Sequence, residues 1–224
     1  MPRFTAVVFD LDGTLLDTLD DLAASVNAAL QKNGFPQRSR EEVCHFVGNG
    51  MAQLIRCAVP EGTSQSEIEQ VLAYFKSYYA QHNADKTRPY EGIQHMLEAL
   101  RQQGIQVAVV SNKNDENTKV LSSSHFGIEV ALGDQEGRQR KPAPDGIWQA
   151  MSLLGASAES TLYVGDSEVD VQTAQNAGLT CLAVTWGFRS QAELLTAGAV
   201  YFAAHPRDVV AFVQHGKKGI AEQA

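Results

Sequence analysis

Phe4-Thr5-Ala6-Val7-Val8-Phe9-Asp10-Leu11-Asp12-Gly13-Thr14 is the stretch that decides the fold. Phe4 to Phe9 is apolar and rich in Val and Phe, the pattern of a buried strand. Two carboxylates follow at its end, two residues apart. In an extended backbone residues i and i+2 point the same way, so Asp10 and Asp12 are expected to face one site. Gly13 permits a sharp turn there, and Thr14 adds a hydroxyl. Two crowded acids attract a divalent cation or hold a proton between them. One of them can attack as a nucleophile while the other moves a proton. Taken alone, Asp12-Gly13 also fits an ordinary turn after a strand. A calcium loop of the EF-hand type starting at Asp10 is excluded, because its sixth position requires Gly and here holds Leu15.

Three later segments add chemistry. Ile105 to Val110 is a second apolar run of β type and ends in Ser111-Asn112. Arg138-Gln139-Arg140-Lys141-Pro142 is a basic stretch in a loop. Thr161 to Val164 is a third buried run and ends in Gly165-Asp166-Ser167-Glu168-Val169-Asp170. In open parallel α/β sheets, ligands bind outside the carboxyl ends of the strands. Acids, a hydroxyl, a lysine and a second set of acids are therefore expected to converge.

With these residues in this order, the chain resembles the haloacid dehalogenase-like hydrolases, and within them the phosphoglycolate phosphatase group with a helical cap. That family carries D-x-D-G-T, then Ser or Thr ending a strand, then Lys in a loop, then G-D-x-x-x-D. Here these are Asp10, Asp12, Gly13 and Thr14; Ser111; Lys141; and Gly165, Asp166 and Asp170. The match runs from about residue 4 to 213. It implies a Mg²⁺-dependent phosphatase acting on a small cytosolic phosphomonoester, with 2-phosphoglycolate the first substrate to try.

The resemblance also implies roles. Asp10 is the nucleophile, and Asp12 is the acid for the leaving alkoxide and then the base for water. Asp12 bears on the reaction type, because relatives that cleave carbon–halogen bonds lack an Asp there. Gly13, Thr14, Ser111, Asn112 and Lys141 are expected around the phosphate. Asp10, the main-chain carbonyl of Asp12, and Asp166 are expected to hold Mg²⁺, supported by Asp170. Asn49, in the Gly48-Asn49-Gly50 loop, and Arg56 are expected to bear on substrate choice. A phosphosugar mutase like β-phosphoglucomutase, or a pyrophosphatase, shares this scaffold. A non-catalytic phosphate-binding module needs neither a nucleophile nor its acid.

The formal charge of −8 over 224 residues argues against nucleic acid as a partner, since backbone phosphates are met by basic surfaces. No run approaches the length that spans a membrane. The apolar run after Arg3 is short and ends in Asp10, so no signal peptide is expected. Cys44, Cys57 and Cys181 form no C-x-x-C pair and suit free thiols in a reducing cytoplasm. A monomer or homodimer is expected.

The organisation reads as an α/β, doubly wound, parallel-sheet (Rossmann-like) core with an inserted all-helical cap. The core covers 1–16 and 88–224, and the cap 17–87. In the insert, Leu19, Leu22, Ala23, Val26 and Leu30 fall at helical spacing, with Thr18 and Asp21 as a capping pair. A second helix is expected to open at Ser66 with Glu69. From Arg88 strands and helices alternate: strands at 105–110, 128–132, 161–164, 180–185 and 200–202, with helices at 91–103, about 115–124, 144–154, about 169–176 and about 206–214. Arg138 and Arg140 read as surface charges, and Trp186-Gly187-Phe188 as aromatic packing at a strand end. Gly216 to Ala224 reads as a frayed tail.

Overall fold

The computed structural model describes residues 3–219. The chain divides into two compact units, Met1–Leu15 with Pro89–Ala224, and Leu16–Arg88.

The first unit is built on β1 (Ala6–Phe9), whose four residues are all buried. Val8 packs in a cluster with Ala108, Ile147, Ala150 and Tyr163. Val7 and Phe9 point the other way and are equally sealed from solvent. A strand buried on both faces reads as a continuous apolar run, which is why Ala6 to Phe9 does not alternate. β1 is followed in this unit by β4 (Gln106–Asn114), β5 (Ala131–Asp134), β6 (Thr161–Gly165), β7 (Thr180–Val184) and β8 (Tyr201–Ala203). They form one six-stranded sheet in the order β5-β4-β1-β6-β7-β8, and every neighbouring pair is parallel. Counted along the unit, that order is third, second, first, fourth, fifth, sixth. The winding reverses between β1 and β6, the switch point where such sheets open a crevice.

Parallel strands need crossovers, and helices supply them. They are α5 (Ile93–Gln102), α6 (Asp115–Phe126), α7 (Asp145–Leu154), α8 (Glu168–Ala177), α9 (Gln191–Thr196) and α10 (Pro206–His215). The short α9 and the one-turn 3₁₀ segment Ala158–Ser160 lack a periodic signal in sequence. β5 lies later than expected, and β4 runs past Val110 through the polar residues to Asn114. Gly216–Gly219, expected as part of a frayed tail, is a 3₁₀ turn, and residues 220–224 lie outside the described residues.

The second unit holds α1 (Leu19–Lys32), α2 (Arg40–Phe46), α3 (Met51–Ala58) and α4 (Gln65–His82). α1 packs along α4, burying Leu22, Val26 and Leu30 on one and Val71, Phe75 and Tyr79 on the other. Two expectations fail here. Thr18 makes no capping bond. The Asp21 carboxylate instead accepts from Lys86 N at 3.0 Å, Thr87 N at 2.8 Å and Thr87 Oγ1 at 2.8 Å. It thus ties the first turn of α1 to the end of the unit. α4 opens at Ser64 with Glu67, a reciprocal capping box, not at Ser66 with Glu69. Two-residue strands β2 (Leu16–Asp17) and β3 (Arg88–Pro89) pair with each other. At two residues no periodicity exists to betray them.

Candidate active site

The site is assembled where β1, β4 and β6 end, beside the loop after β5. Asp10 follows β1 directly, and its N–H donates to Val164 O of β6 at 2.9 Å, which fixes its backbone to the neighbouring strand. Asp12 still forms a β-bridge, and the chain turns directly after it. Leu11 O accepts from Thr14 N (3.3 Å) and Leu15 N (3.0 Å), so a turn begins at once.

Lys141 enters from the loop after β5 with its side chain 4 % exposed. Its ammonium lies 2.8 Å from Asp10 Oδ1 and 2.7 Å from Asp170 Oδ1. Tyr163 Oη, from inside β6, donates to Asp170 Oδ1 at 2.8 Å and lies 3.2 Å from Lys141 Nζ. Asp170 Oδ2 accepts from Ser167 Oγ (2.6 Å), Ser167 N (3.0 Å) and Asp166 N (3.2 Å). Ser167 caps α8 reciprocally with Asp170, so the helix start that fixes Asp170 also aims Asp166.

Asp166 is held on both oxygens. Oδ1 accepts from Thr14 Oγ1 at 2.7 Å, and Oδ2 accepts from Phe188 N at 2.8 Å. The Thr14 hydroxyl, expected at the phosphate, is thereby given to orienting Asp166. Gly13 has φ +88°, and a Cβ on it would stand 2.3 Å from Asp166 Oδ2. Glycine is required there for both backbone and space. A Cβ on Gly187 would lie 2.4 Å from Asp166 Cβ and 2.5 Å from Gly13 O. Trp186 Nε1 donates to Thr14 O at 3.0 Å. Trp186-Gly187-Phe188, read as aromatic packing, is therefore the backing wall of Asp166.

β4 supplies the third side. Between Val110 and Asn114 it advances four residues while β5 advances two, from Leu132 to Asp134. Such a bulge re-aims side chains beside a site. Ser111, Asn112 and Lys113 occupy it, all buried. Ser111 Oγ accepts from Lys113 N at 3.3 Å. The Asn112 side chain donates from Nδ2 to Lys141 O at 2.9 Å, pinning the lysine loop. Lys113, which carries no motif of its own, sets Nζ 3.1 Å and 3.3 Å from the two carboxylate oxygens of Asp12. The signal available for it was period two: Ser111 and Lys113 share a face if the strand continues.

Electrostatics follow from the burial of several acids around few cations. Burial, reinforced by Asp170 and Asp12 and partly offset by Lys141, pushes Asp10 up to about 7. Burial, then the charges of Asp170 and Asp10, raises Asp166 well above the carboxylate range. Asp170 goes the other way: burial works against its charge, but Lys141 and its hydrogen bonds outweigh that. Burial would lower Lys141, yet Asp10 and Asp170 hold it above its ordinary value.

One carboxylate oxygen each of Asp10, Asp166 and Asp170 falls within 4.8 Å of the others. Asp10 Oδ1, although ion-paired with Lys141, is a buried oxygen that no hydrogen bond of good geometry reaches. Such a cluster of oxygens, short of positive charge, fits a hard divalent cation.

The remaining sequence candidates fall elsewhere. Arg138 is not a surface charge: its side chain is 8 % exposed, pairs with Asp115 at 3.1 Å and donates to Gly133 O and to Gln149 Oε1. Arg140 is half exposed and pairs with Asp134 at 3.0 Å. Asn49 and Arg56 are exposed residues of the helical unit, in the loop before α3 and in its last turn.

A doubly wound parallel sheet with an aspartate directly after its first strand, and a lysine and further aspartates at the switch point, defines an aspartate-centred hydrolase. The chain belongs to the haloacid dehalogenase-like hydrolase family, whose model matches residues 7–184. It is 36 % identical over 196 residues to a phosphoglycolate phosphatase of Pseudomonas putida, covering 84 % of this chain and 71 % of that one. A crystal structure from Lactobacillus delbrueckii subsp. bulgaricus superposes with a TM-score of 0.91 at 34 % identity, covering 96 % of this chain and all of that one (100 %). A predicted phosphoglycolate phosphatase from Haemophilus somnus gives a TM-score of 0.87 at 29 % identity, with 96 % and 100 % covered.

Proposed function

We propose that the protein is a Mg²⁺-dependent phosphatase of the cytoplasm that hydrolyses a small phosphorylated metabolite through an aspartyl phosphate, with 2-phosphoglycolate as its substrate. The observation that carries this reading is the division of the two leading acids between different cations. Asp10 stands against Lys141 and Asp12 against Lys113, at 2.8 Å and 3.1 Å. Acids in different surroundings can take different roles.

In this reading Asp10 attacks phosphorus and forms a P–O bond, while the bond to the ester oxygen breaks. Asp12 gives its proton to the departing alkoxide. It then takes a proton from the water that attacks the aspartyl phosphate, releasing inorganic phosphate and restoring Asp10. Ser111 Oγ, the Asn112 main-chain N–H and Lys141 serve the phosphoryl oxygens. Asp10, Asp166 and the Asp12 carbonyl would hold Mg²⁺, supported by Asp170, and the ion supplies charge neutralisation for the transferring group. The helical unit, residues 17–87 in this reading, serves as the substrate-selecting cap, with Asn49 and Arg56 as its specificity residues.

The test is phosphate release from a panel of phosphorylated metabolites, with Mg²⁺ and with chelator. 2-Phosphoglycolate should lead, and chelator should silence the enzyme. Asp10→Asn should abolish turnover and leave the circular dichroism spectrum unchanged. Full activity in chelator, or turnover of Asp10→Asn within tenfold of wild type, contradicts the reading. Asn49→Ala and Arg56→Ala should reorder the panel more than they change Mg²⁺ dependence.

A further inference from the structure

Lys113 is buried in the bulge of β4 with its side chain 2 % exposed, and the reaction above uses it only as the partner of Asp12, with no part in binding the substrate. Its ammonium touches both oxygens of Asp12, whose own side chain is 14 % exposed. A cation taken this far out of water is costly unless it is paired, and placing one here needs a reason beyond packing. Lys141 is occupied on the nucleophile's side of the site, between Asp10 and Asp170. Lys113 puts a second positive charge on the proton-transfer side.

The substrate chemistry gives that charge a use. This step rests on the phosphatase reading, in which Asp12 comes within hydrogen-bond reach of the ester oxygen that it protonates. In an ester of the form phosphate–O–CH₂–COO⁻, the carboxyl carbon lies two covalent bonds from that oxygen. A substrate carboxylate must therefore arrive beside the Asp12 side chain. Once Asp12 has given its proton to the leaving oxygen it is an anion beside that carboxylate, and like charges at contact repel, strongly where water is excluded. An ammonium already seated on Asp12 neutralises both. Its donors radiate from one nitrogen without a fixed plane, which suits a shared cation.

We propose that Lys113 is a specificity-determining residue: its ammonium, anchored on Asp12, selects phosphomonoesters that carry a carboxylate on the carbon next to the ester oxygen. Lys141 then reads the phosphoryl end of the substrate, and Lys113 the acid end.

The comparison that tests this uses 2-phosphoglycolate and ethyl phosphate, which share a skeleton and differ by carboxylate against methyl. kcat/KM is measured for both with wild type, Lys113→Met and Lys113→Arg. Wild type should prefer 2-phosphoglycolate. Lys113→Met, similar in length but uncharged, should shrink that preference on the order of 10- to 100-fold, the worth of a hydrogen bond to a charged group. Lys113→Arg keeps the charge and should keep a preference severalfold above that of Lys113→Met. If Lys113 only steadies Asp12, Lys113→Met will slow both esters equally and leave their ratio unchanged, which overturns the proposal. A wild-type enzyme that cleaves ethyl phosphate as efficiently as 2-phosphoglycolate sinks the proposal and spares the phosphatase reading. A wild-type enzyme that releases phosphate from neither ester, nor from p-nitrophenyl phosphate, removes both.

Discussion

Asp170 takes hydrogen bonds from Tyr163 Oη and from the Ser167 hydroxyl and N–H while meeting Lys141 at 2.7 Å. Its contribution is to hold the lysine. Without it, the Lys141 ammonium would answer to Asp10 alone, and a buried hydroxyl and buried N–H groups would lose their acceptor. Leaving one such group unsatisfied costs about 1–3 kcal/mol. Asp170→Ala is thus expected to lower both stability and kcat, the latter more than 100-fold. Tyr163→Phe removes one hydroxyl and leaves the ion pair. It should cost about 1 kcal/mol and less than tenfold in kcat. Denaturant unfolding and steady-state kinetics on the two variants separate these outcomes. Equal losses in kcat would mean that Tyr163, not the carboxylate, positions Lys141.

Loops and helix starts give the site its shape at the scale of elements. Gly187 lies in the loop after β7, packed against Asp166 and the Gly13 carbonyl. Gly187→Ala should push Asp166 aside. Changes around metal-binding carboxylates typically cost 10–100-fold in affinity. The Mg²⁺ concentration for half-maximal activity should rise by about that factor, while a normal value would show that the loop can yield. The helical unit offers a second comparison. Ser64-x-x-Glu67 and Ser66-x-x-Glu69 both match the capping-box pattern, two residues apart. Ser64 holds the cap, with its N–H and hydroxyl on Glu67 at 3.0 Å and 2.6 Å. Ser64→Ala should cost about 1 kcal/mol and Ser66→Ala about half that or less. The reverse ranking in a denaturant series would return the helix start to Ser66.

That ambiguity shows what the sequence can and cannot convey. Strands such as Ala6–Phe9 and Thr161–Gly165 were legible because burial on both faces leaves an unbroken apolar run. Asp10, Ser111, Lys141, Asp166 and Asp170 were legible because each follows such a run, or its loop, in a specific order. Lys113 was not, because β4 carries polar residues through a bulge after its apolar run has ended at Val110. Arg138 was misread because a basic loop looks solvated until Asp115 and Gly133 close on it. Asp21 has the spacing of a capping residue, but its partners, Lys86 and Thr87, lie 65 and 66 residues away.

For the molecule as a whole, with its formal charge of −8, the acids at the end of the sheet couple protons, metal and stability. Asp10 is raised from 3.8 to about 7, chiefly by burial, and Asp166 is raised in the same sense. A raised carboxylate binds its proton more tightly in the folded chain than in the unfolded one. Its favourable contribution is fully present below 3.8, is lost as pH rises toward about 7, and stays lost above that. In the same window a cation must displace that proton to bind. With one proton displaced, affinity for Mg²⁺ should be roughly 100-fold weaker at two pH units below the folded value. The stabilisation by saturating Mg²⁺ should therefore be smaller at pH 5 than at pH 8, by up to about 2.7 kcal/mol. Thermal unfolding with and without Mg²⁺ at the two pH values measures the difference. In Asp10→Asn, which has no proton to displace at that position, the difference should shrink. A Mg²⁺-induced shift in Tm that is the same at both pH values in the wild-type protein would uncouple the buried acids from the metal.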